Sequence, residues 1–447
     1  MIQRDRQRLY VNVIVTFGRQ FAAGFMRLFL TLLVARILGP EGAGAYAVAL
    51  LLPTLMAQLL NLGMAASNVY FIATGRFTKE QVWATSRNVA LLASLAGVLS
   101  GLLLVNVAGA RVFPGVSTLV LSVALVTLPP LLILGAVASI FQAEEDFSAY
   151  NVINLAEPTL SLCAILSIAF LGIATIESVA IATVISHVFA TILAVTLLSK
   201  TVRVFCRGKR KRQYLAQSLR YGVVAHASNV TSFLNYRLDL FLVNFFAGPL
   251  VAGVYAIAIR VAEQIWIISQ AVSTVIFPRL AAMVDDEEGR RNLTPIIARA
   301  TLWATLLASG VVAAVGRPLV EVMFGTEFQD AAFMLLLLLP GITVFSCSRV
   351  LANDLAARGL VGVNLALAIG ALVLNAAGNI LLIPYYGALG AAAVTSTAYA
   401  ADLLVRLVIQ HKFTGVDWTE MVLPRRQDFW LLRRILASAS KLMGFRT

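Results

Sequence analysis

The strongest constraint on this chain is a motif that occurs twice. Gly39-Pro40-Glu41-Gly42-Ala43-Gly44-Ala45-Tyr46-Ala47-Val48-Ala49 recurs 209 positions later as Gly248-Pro249-Leu250-Val251-Ala252-Gly253-Val254-Tyr255-Ala256-Ile257-Ala258, with seven of eleven positions identical. Each copy interrupts two long apolar runs. The Gly-Pro cannot continue the preceding helix, and the Gly-x-Tyr-Ala opens the next, so each copy is a turn between helices. A chain built this way is a duplicated set of helical hairpins.

Composition decides where those helices lie. The 447 residues are 60% hydrophobic and 13% charged, with a mean hydropathy of +0.86. A soluble domain carries roughly 25% charged residues, so this chain reads as an all-α polytopic membrane protein. The net charge of +13 would suggest nucleic acid in a soluble protein; here the basic positions report orientation instead, and no nucleic-acid partner is expected. Cys163, Cys206 and Cys347 have no metal or redox spacing and read as packing or surface thiols. The basic start Arg4-Asp5-Arg6-Gln7-Arg8 superficially resembles a signal peptide, but the following segment is too long and carries Arg19 and Arg27. It reads as a retained first span.

About 20 apolar residues cross the hydrocarbon as a helix. Twelve spans are predicted, at roughly 11–38, 43–73, 84–109, 116–141, 147–171, 175–199, 218–247, 252–283, 295–316, 329–356, 361–384 and 387–411. Arg4, Arg6, Arg8, Arg76, Lys79, Arg87, the Lys200–Arg212 connection, Arg279, Arg290 and Arg291 all fall on one side of that layout. The alternate loops hold Arg111 and Arg317 and little else. The positive-inside rule then makes both termini cytoplasmic.

An offset of six spans places both halves in the membrane the same way up. Parallel repeats of this kind occur in transporters whose two lobes rock against each other. The expected organisation is a six-helix lobe over 1–199, a basic cytoplasmic linker over 200–217, a second six-helix lobe over 218–412 and a cytoplasmic tail over 413–447. Within the tail, Phe429, Leu432 and Leu436 at helical spacing among arginines predict an amphipathic helix on the membrane surface.

Ionisable side chains inside the bilayer cost about 3 kcal/mol each on insertion scales and are functional candidates. Arg27 lies twelve residues before Gly39 and Arg237 eleven before Gly248. At helical rise these are about 18 and 16–17 Å from their turns, near the middle of a core roughly 30 Å thick. Each half thus brings one arginine to the same depth. Arg19 lies on the same span as Arg27, and Arg260 with Glu263 are three apart in span 8. Asn235 and Asp239 share a face of span 7, span 10 carries Arg349, Asn353 and Asp354, and Gln58 and Asn61 add polar groups to span 2. Two readings stay open for this set: ligand contacts, or pairs that fix helix rotation. Arg349 with Asp354 and Arg260 with Glu263 are candidates for either, whereas Asp402 with Arg406 reads as a structural pair. Asp239 and Glu263 are candidates for ion coupling or a latch between lobes.

Cations in a cavity imply an anionic or phosphate-bearing cargo, because guanidinium grips phosphate bidentately and stays charged when desolvated. The sequence has no Walker-type loop, metal-ligand constellation, cofactor motif or paired-carboxylate set. The three histidines are isolated along the chain. No enzyme is expected.

The stretch Ala35-Arg36-Ile37-Leu38-Gly39-Pro40-Glu41-Gly42-Ala43-Gly44-Ala45-Tyr46 resembles the end of span 1 in the polysaccharide flippases. They are the Wzx-like branch of the multidrug/oligosaccharidyl-lipid/polysaccharide exporter superfamily. The resemblance extends to the layout of the whole chain. It implies two lobes around a cavity lined by spans 1, 2, 7 and 8. The implied cargo is an oligosaccharide on polyprenyl pyrophosphate, flipped across the bacterial inner membrane for surface polysaccharide synthesis. A polysaccharide polymerase and chain-length machinery are the implied partners. Arg19, Arg27, Arg237 and Arg260 then fall on cavity-lining spans. Drug exporters of the superfamily commonly carry an acidic coupling group in the first lobe, where span 1 here has only basic ones. Lipid II flippases carry two further C-terminal spans. An ion-coupled multidrug antiporter and a lipid II flippase are the alternatives.

Overall fold

The computed structural model describes residues 2–203, 211–283 and 286–425. The Arg19 side chain, residues 204–210 of the basic linker and the predicted interfacial helix lie outside the described residues. Among those described, every regular element is helical: α1 (Ile2–Leu60), α2 (Met64–Ala73), α3 (Lys79–Val112), α4 (Thr118–Leu125), α5 (Leu128–Ala143), α6 (Phe147–Phe170), α7 (Ile176–Ser199), α8 (Lys211–Glu263), α9 (Trp266–Ala282), α10 (Glu287–Phe324), α11 (Ala331–Ala357), α12 (Val361–Thr414) and α13 (Trp418–Val422), with one 3-10 turn at Thr326–Phe328.

Nine of the described helical stretches are long and apolar enough to cross a membrane. Three of them, carried by α1, α8 and α12, contain a glycine outside helical conformation, at Gly39, Gly248 and Gly387. Each of those three is two crossing arms, so the nine become the twelve predicted from hydropathy. Gly39 has φ 66° and ψ −178°, and Gly248 has φ 82° and ψ 175°. Only glycine reaches that region readily, and a proline follows each. The two copies of the motif therefore share one backbone shape as well as a sequence.

The helices sort into two compact units. The first comprises Met1–Arg260, Pro318–Met334 and Ala376–Ala391. Its interior holds Trp83, Val137, Ile140, Phe141, Leu198 and Tyr214. Asn68 is fully buried and joins three other helices: its amide donates to Ser139 on α5, and its carbonyl accepts from Ser86 on α3 and Tyr214 on α8. Tyr214 also packs edge-on against Phe71 and Phe77, and burial pushes its hydroxyl up to about 12. This packing explains why α8 begins at Lys211, seven residues ahead of the predicted span at 218. Seven of the eighteen residues that read as a linker are helix, which docks on α2 through Tyr214.

Span 4 is broken between α4 and α5 because Pro129 and Pro130 cannot supply the backbone donors that a continuous helix needs there. Span 2 is also broken. α1 ends at Leu60, Leu62 has φ 52° and Gly63 φ 73°, and α2 starts at Met64.

The second unit comprises Val261–Arg317, Leu335–Asn375 and Ala392–Thr447. Its core gathers Ala298, Leu302, Cys347, Val350, Leu351, Leu403 and Leu407. Arg299, nearly fully buried, donates to the Glu420 carbonyl, and Trp303 Nε1 donates to the Val422 carbonyl at 3.0 Å, pinning α13 against α10. Asp402 and Arg406 pair at 2.8 Å, as their i, i+4 spacing predicts, and Arg406 also donates to Asn364 at 2.6 Å. Arg349 and Asp354 do not pair. Arg349 lies 5.5 Å from the rings of Trp266 and Phe345, while Asp354 takes Arg358 at 2.8 Å and the Gln410 amide. Arg358 in turn reaches Glu287 at 2.8 Å. Arg358 stands four residues after Asp354, at the same i, i+4 spacing as Asp402 and Arg406, whereas Arg349 is five residues before it.

Candidate transport chamber and motif contact

The break in span 2 has a consequence for the site. Inside a bilayer, irregular backbone survives only where it is buried in protein or lines a polar cavity. Both conditions hold here. Gly63 packs against the Gly222 backbone, where a Cβ would lie 2.5 Å from the Gly222 carbonyl oxygen. On the other side, Gln58 and Asn61 face a cavity of about 260 Å³ that also borders Thr54, Leu131, Gly135 and Phe233. A second space of about 20 Å³ adjoins Asn61, between Met64, Ser86 and Ala136. The larger cavity falls just under the roughly 300–1,000 Å³ that encloses a drug-sized ligand. It has room for one small polar group such as a sugar ring, with the Gln58 and Asn61 amides on its wall at the α1 side of the helix break.

The structure thus brings Gln58 and Asn61 together. The arginines distribute differently. Arg27 is exposed on α1 and makes no ion pair with a described residue. Arg237 on α8 is half-buried and donates to the Tyr236 carbonyl at 3.3 Å. Arg260, half-buried near the end of α8, acts electrostatically on the Tyr46 hydroxyl. Asn235 and Asp239 are both buried, in keeping with one shared helix face. Asp239 Oδ2 accepts from the Tyr255 hydroxyl at 2.7 Å, and Oδ1 from the Leu240 amide at 2.7 Å. Glu263 is half-buried in the second unit.

The two motifs meet. A Cβ on Gly44 would lie 1.9 Å from the Pro249 carbonyl oxygen and 2.5 Å from the Gly253 nitrogen. Reciprocally, a Cβ on Gly253 would lie 1.9 Å from the Pro40 carbonyl oxygen and 2.9 Å from the Gly44 nitrogen. Equivalent glycines of the repeat therefore pack backbone on backbone, each against the carbonyl that opens the other's helix. This is what the second glycine of the motif is for. Its tyrosines are likewise equivalent: Tyr255 bonds Asp239, and Tyr46 bonds Thr183 Oγ1 at 2.7 Å.

Arg36, one turn before Gly39, was a bystander in the sequence. It donates to the carbonyls of Val322 and Met323, the last turn of α10, where a cation also meets the negative end of the helix dipole. Its counterpart in the second copy is Phe245, so no search based on the repeat would find it. Arg36→Ala is expected to loosen the Val322–Phe328 segment, read as faster amide hydrogen exchange there while the α3–α5 amides are unchanged.

Glu157 was also missed. Its partners are Ser161, one turn along α6, and His187 on α7, so no charged neighbour in its own helix flags it.

Comparison with known proteins agrees with this architecture. A family model described as polysaccharide biosynthesis protein matches residues 33–333. A Shigella flexneri protein named as an O-antigen transporter is 25% identical over 395 residues, 83% of this chain and 90% of its own. A Haloferax volcanii protein named as a low-salt glycan biosynthesis flippase is 23% identical over 231 residues, 51% of this chain. That alignment spans 47% of the Haloferax protein, about half its length. The solved structure of the lipid II flippase MurJ in an inward closed conformation superimposes with a TM-score of 0.76, at 16% identity, over 95% of this chain and 96% of that one. At that identity the likeness shows the fold alone, an all-helical multi-pass membrane fold. The family model covers well over half of the sequence, and with it the motif contact and the broken span 2: this chain belongs to the polysaccharide biosynthesis protein family.

Proposed function

We propose that this protein is a flippase, not an enzyme, which carries a polyprenyl-pyrophosphate-linked oligosaccharide across the bacterial inner membrane by alternating access. The observation that carries the reading is the family match over residues 33–333, supported by relatives named for O-antigen transport and glycan flipping. The chemistry is consistent with it. Arg27 is exposed, holds no ion-pair partner among the described residues, and has the planar fork that suits pyrophosphate. Gln58 and Asn61 at the broken helix offer the neutral donors and acceptors that sugar hydroxyls need. The prenyl chain stays in the surrounding lipid. With the basic loops cytoplasmic, the motif contact lies on the outer side. The polymerase and chain-length machinery that would receive the product are the corresponding partners.

The test is complementation of a strain that lacks its own polysaccharide flippase, with surface glycan as the readout. The unmodified protein is expected to restore glycan. Arg27→Ala and Arg237→Ala are each expected to cut it by about tenfold or more, the loss of roughly one charge-assisted contact to the cargo, at unchanged protein level. Resistance to cationic drugs without glycan display would overturn the reading in favour of a multidrug antiporter. Restored lipid II translocation would favour the other alternative.

A further inference from the structure

We infer that the motif contact is clasped by two reciprocal loops of unequal strength, and that the loop at Phe113–Val116 is the one that releases. The inference rests on the transporter reading for its purpose, though not for its test. The first loop follows α3, the third predicted span, and the second, Gly325–Phe328, follows α10, the ninth. They therefore hold equivalent places in the two halves of the repeat. Each turns on a glycine in left-handed backbone, Gly115 at φ 76° and Gly325 at φ 110°. Each of those glycines comes just after a buried phenylalanine, Phe113 or Phe324.

Each loop lies on the motif of the other half. A Cβ on Gly115 would stand 2.6 Å from Pro249 Cδ and 2.7 Å from its Cγ, so this loop sits against the proline ring of the second copy. Asn244, four residues before Gly248, donates to the Pro114 carbonyl at 3.4 Å, and Phe113 meets the Phe241 ring edge-on at 5.7 Å. On the first copy, Arg36 donates to the Met323 carbonyl at 2.8 Å and to that of Val322. The Glu327 carboxylate lies 3.5 Å from where a Cβ on Gly39 would stand. Both Gly-Pro turns are thus covered from across the repeat, and the Gly44–Gly253 contact is held from both sides.

Apolar burial does not separate the two loops, since each presses a phenylalanine inward. The polar anchors do. Arg36 gives two charge-assisted bonds to carbonyls at the end of α10, where its charge also meets the helix dipole. Asn244 gives one neutral bond at the long limit of hydrogen-bond geometry. Asn244 is also fully buried, and its Oδ1 has no hydrogen-bond partner among the described residues. Turning the amide round would set Oδ1 against the Pro114 carbonyl, two acceptors together, so the orientation cannot be improved. The closed first loop therefore keeps a stranded buried acceptor, which costs free energy and which contact with water relieves. On the transporter reading, the chamber opens outward along the face where α3, α4 and the Gly248 turn of α8 meet. The Arg36 side stays closed as the hinge.

The experiment is thiol labelling of the purified full chain in lipid nanodiscs, where N-ethylmaleimide reaches both faces, with Cys163, Cys206 and Cys347 replaced by alanine. Val116→Cys, buried in the first loop, and Ala331→Cys, buried just after the second, report the two openings. Each rate is normalised to that of the unfolded chain. Val116→Cys is expected to label about tenfold or more faster than Ala331→Cys. Asn244→Leu removes the stranded acceptor at similar volume, and is expected to slow Val116→Cys labelling about tenfold while Ala331→Cys is unchanged. The sign decides. If the Asn244 bond to Pro114 were what holds the loop down, the same substitution would speed labelling, and the inference fails. Arg36→Ala is expected to do the converse, raising Ala331→Cys labelling about tenfold or more with Val116→Cys unchanged. Slower labelling at Val116→Cys than at Ala331→Cys would overturn the order of release without any Asn244 variant. Thermal midpoints show misfolding separately. Labelling needs no cargo, so failure of the flippase reading appears only in the glycan assay, where Asn244→Leu is expected to lower display. Full display by Asn244→Leu with slowed labelling would reject outward opening along this face.

Discussion

Gly253→Leu, expressed in full-length protein, is expected to open the motif contact and abolish glycan display. The incoming side chain meets the Pro40 carbonyl and the Gly44 backbone, neither of which can rotate away as a flexible side chain would. Overpacking costs about 1–3 kcal/mol even in ordinary cores, and at about 1.4 kcal/mol per tenfold it moves the contact population by roughly tenfold to a hundredfold. Gly44→Leu should do the same from the other copy, because the clash is reciprocal. The direct measurement uses Ala57→Cys on the chamber wall and a membrane-impermeant thiol reagent added from the outer side. Labelling should rise about tenfold or more in either leucine variant. Gly310→Leu, where an added Cβ meets nothing within 4 Å, is the control and should leave labelling unchanged. Unaltered labelling in Gly253→Leu, with the protein folded, would show that the glycine contact does not close the chamber.

That pair of glycines also marks how far the sequence could be read. Twelve spans, the duplication and the turn at each Gly-Pro follow from hydropathy and local backbone chemistry, which are written residue by residue. The role of the second glycine is different. Its conservation between copies is visible in the repeat, yet nothing local says that Gly44 needs Gly253; only tertiary packing makes the two copies touch. The break at Asn61-Leu62-Gly63 carried a turn signal in its Asn and Gly that the strong apolar run around it concealed. Glu157 and Arg36 were illegible for the same physical reason. Each pairs across elements, with His187 and with the end of α10, and helix spacing reports only partners three or four residues away. Asp354 is the converse case, because its partner Arg358 stands at the i, i+4 spacing that the rule does report, just past the end of α11, whereas Arg349 is five residues away.

Asp354→Ala should be the most destabilising single change in the second unit. The carboxylate is fully buried, accepts from Arg358 and Gln410, and has Oδ1 with no hydrogen-bond partner among the described residues. Removing it strands the Arg358 guanidinium, whose side chain is only 11% exposed and which then keeps Glu287 alone. Breaking one member of a buried pair costs about 3–5 kcal/mol, mostly as the penalty of the charge left behind; with Glu287 still present, about 3 kcal/mol is the expectation. Replacing both ends separates that penalty from the worth of the pair. Asp354→Leu with Arg358→Met should recover most of the lost stability, because apolar side chains of similar volume remove both desolvation terms together. The check is the thermal midpoint of the purified protein in detergent, measured for the two single variants and the double variant. If the stranded Arg358 charge is what costs stability, the double variant should regain its midpoint, while Gln410→Leu alone, which removes one donor to the carboxylate, lowers it. Equal loss in the single and double variants would mean that the pair itself, and not the stranded charge, carries the stability.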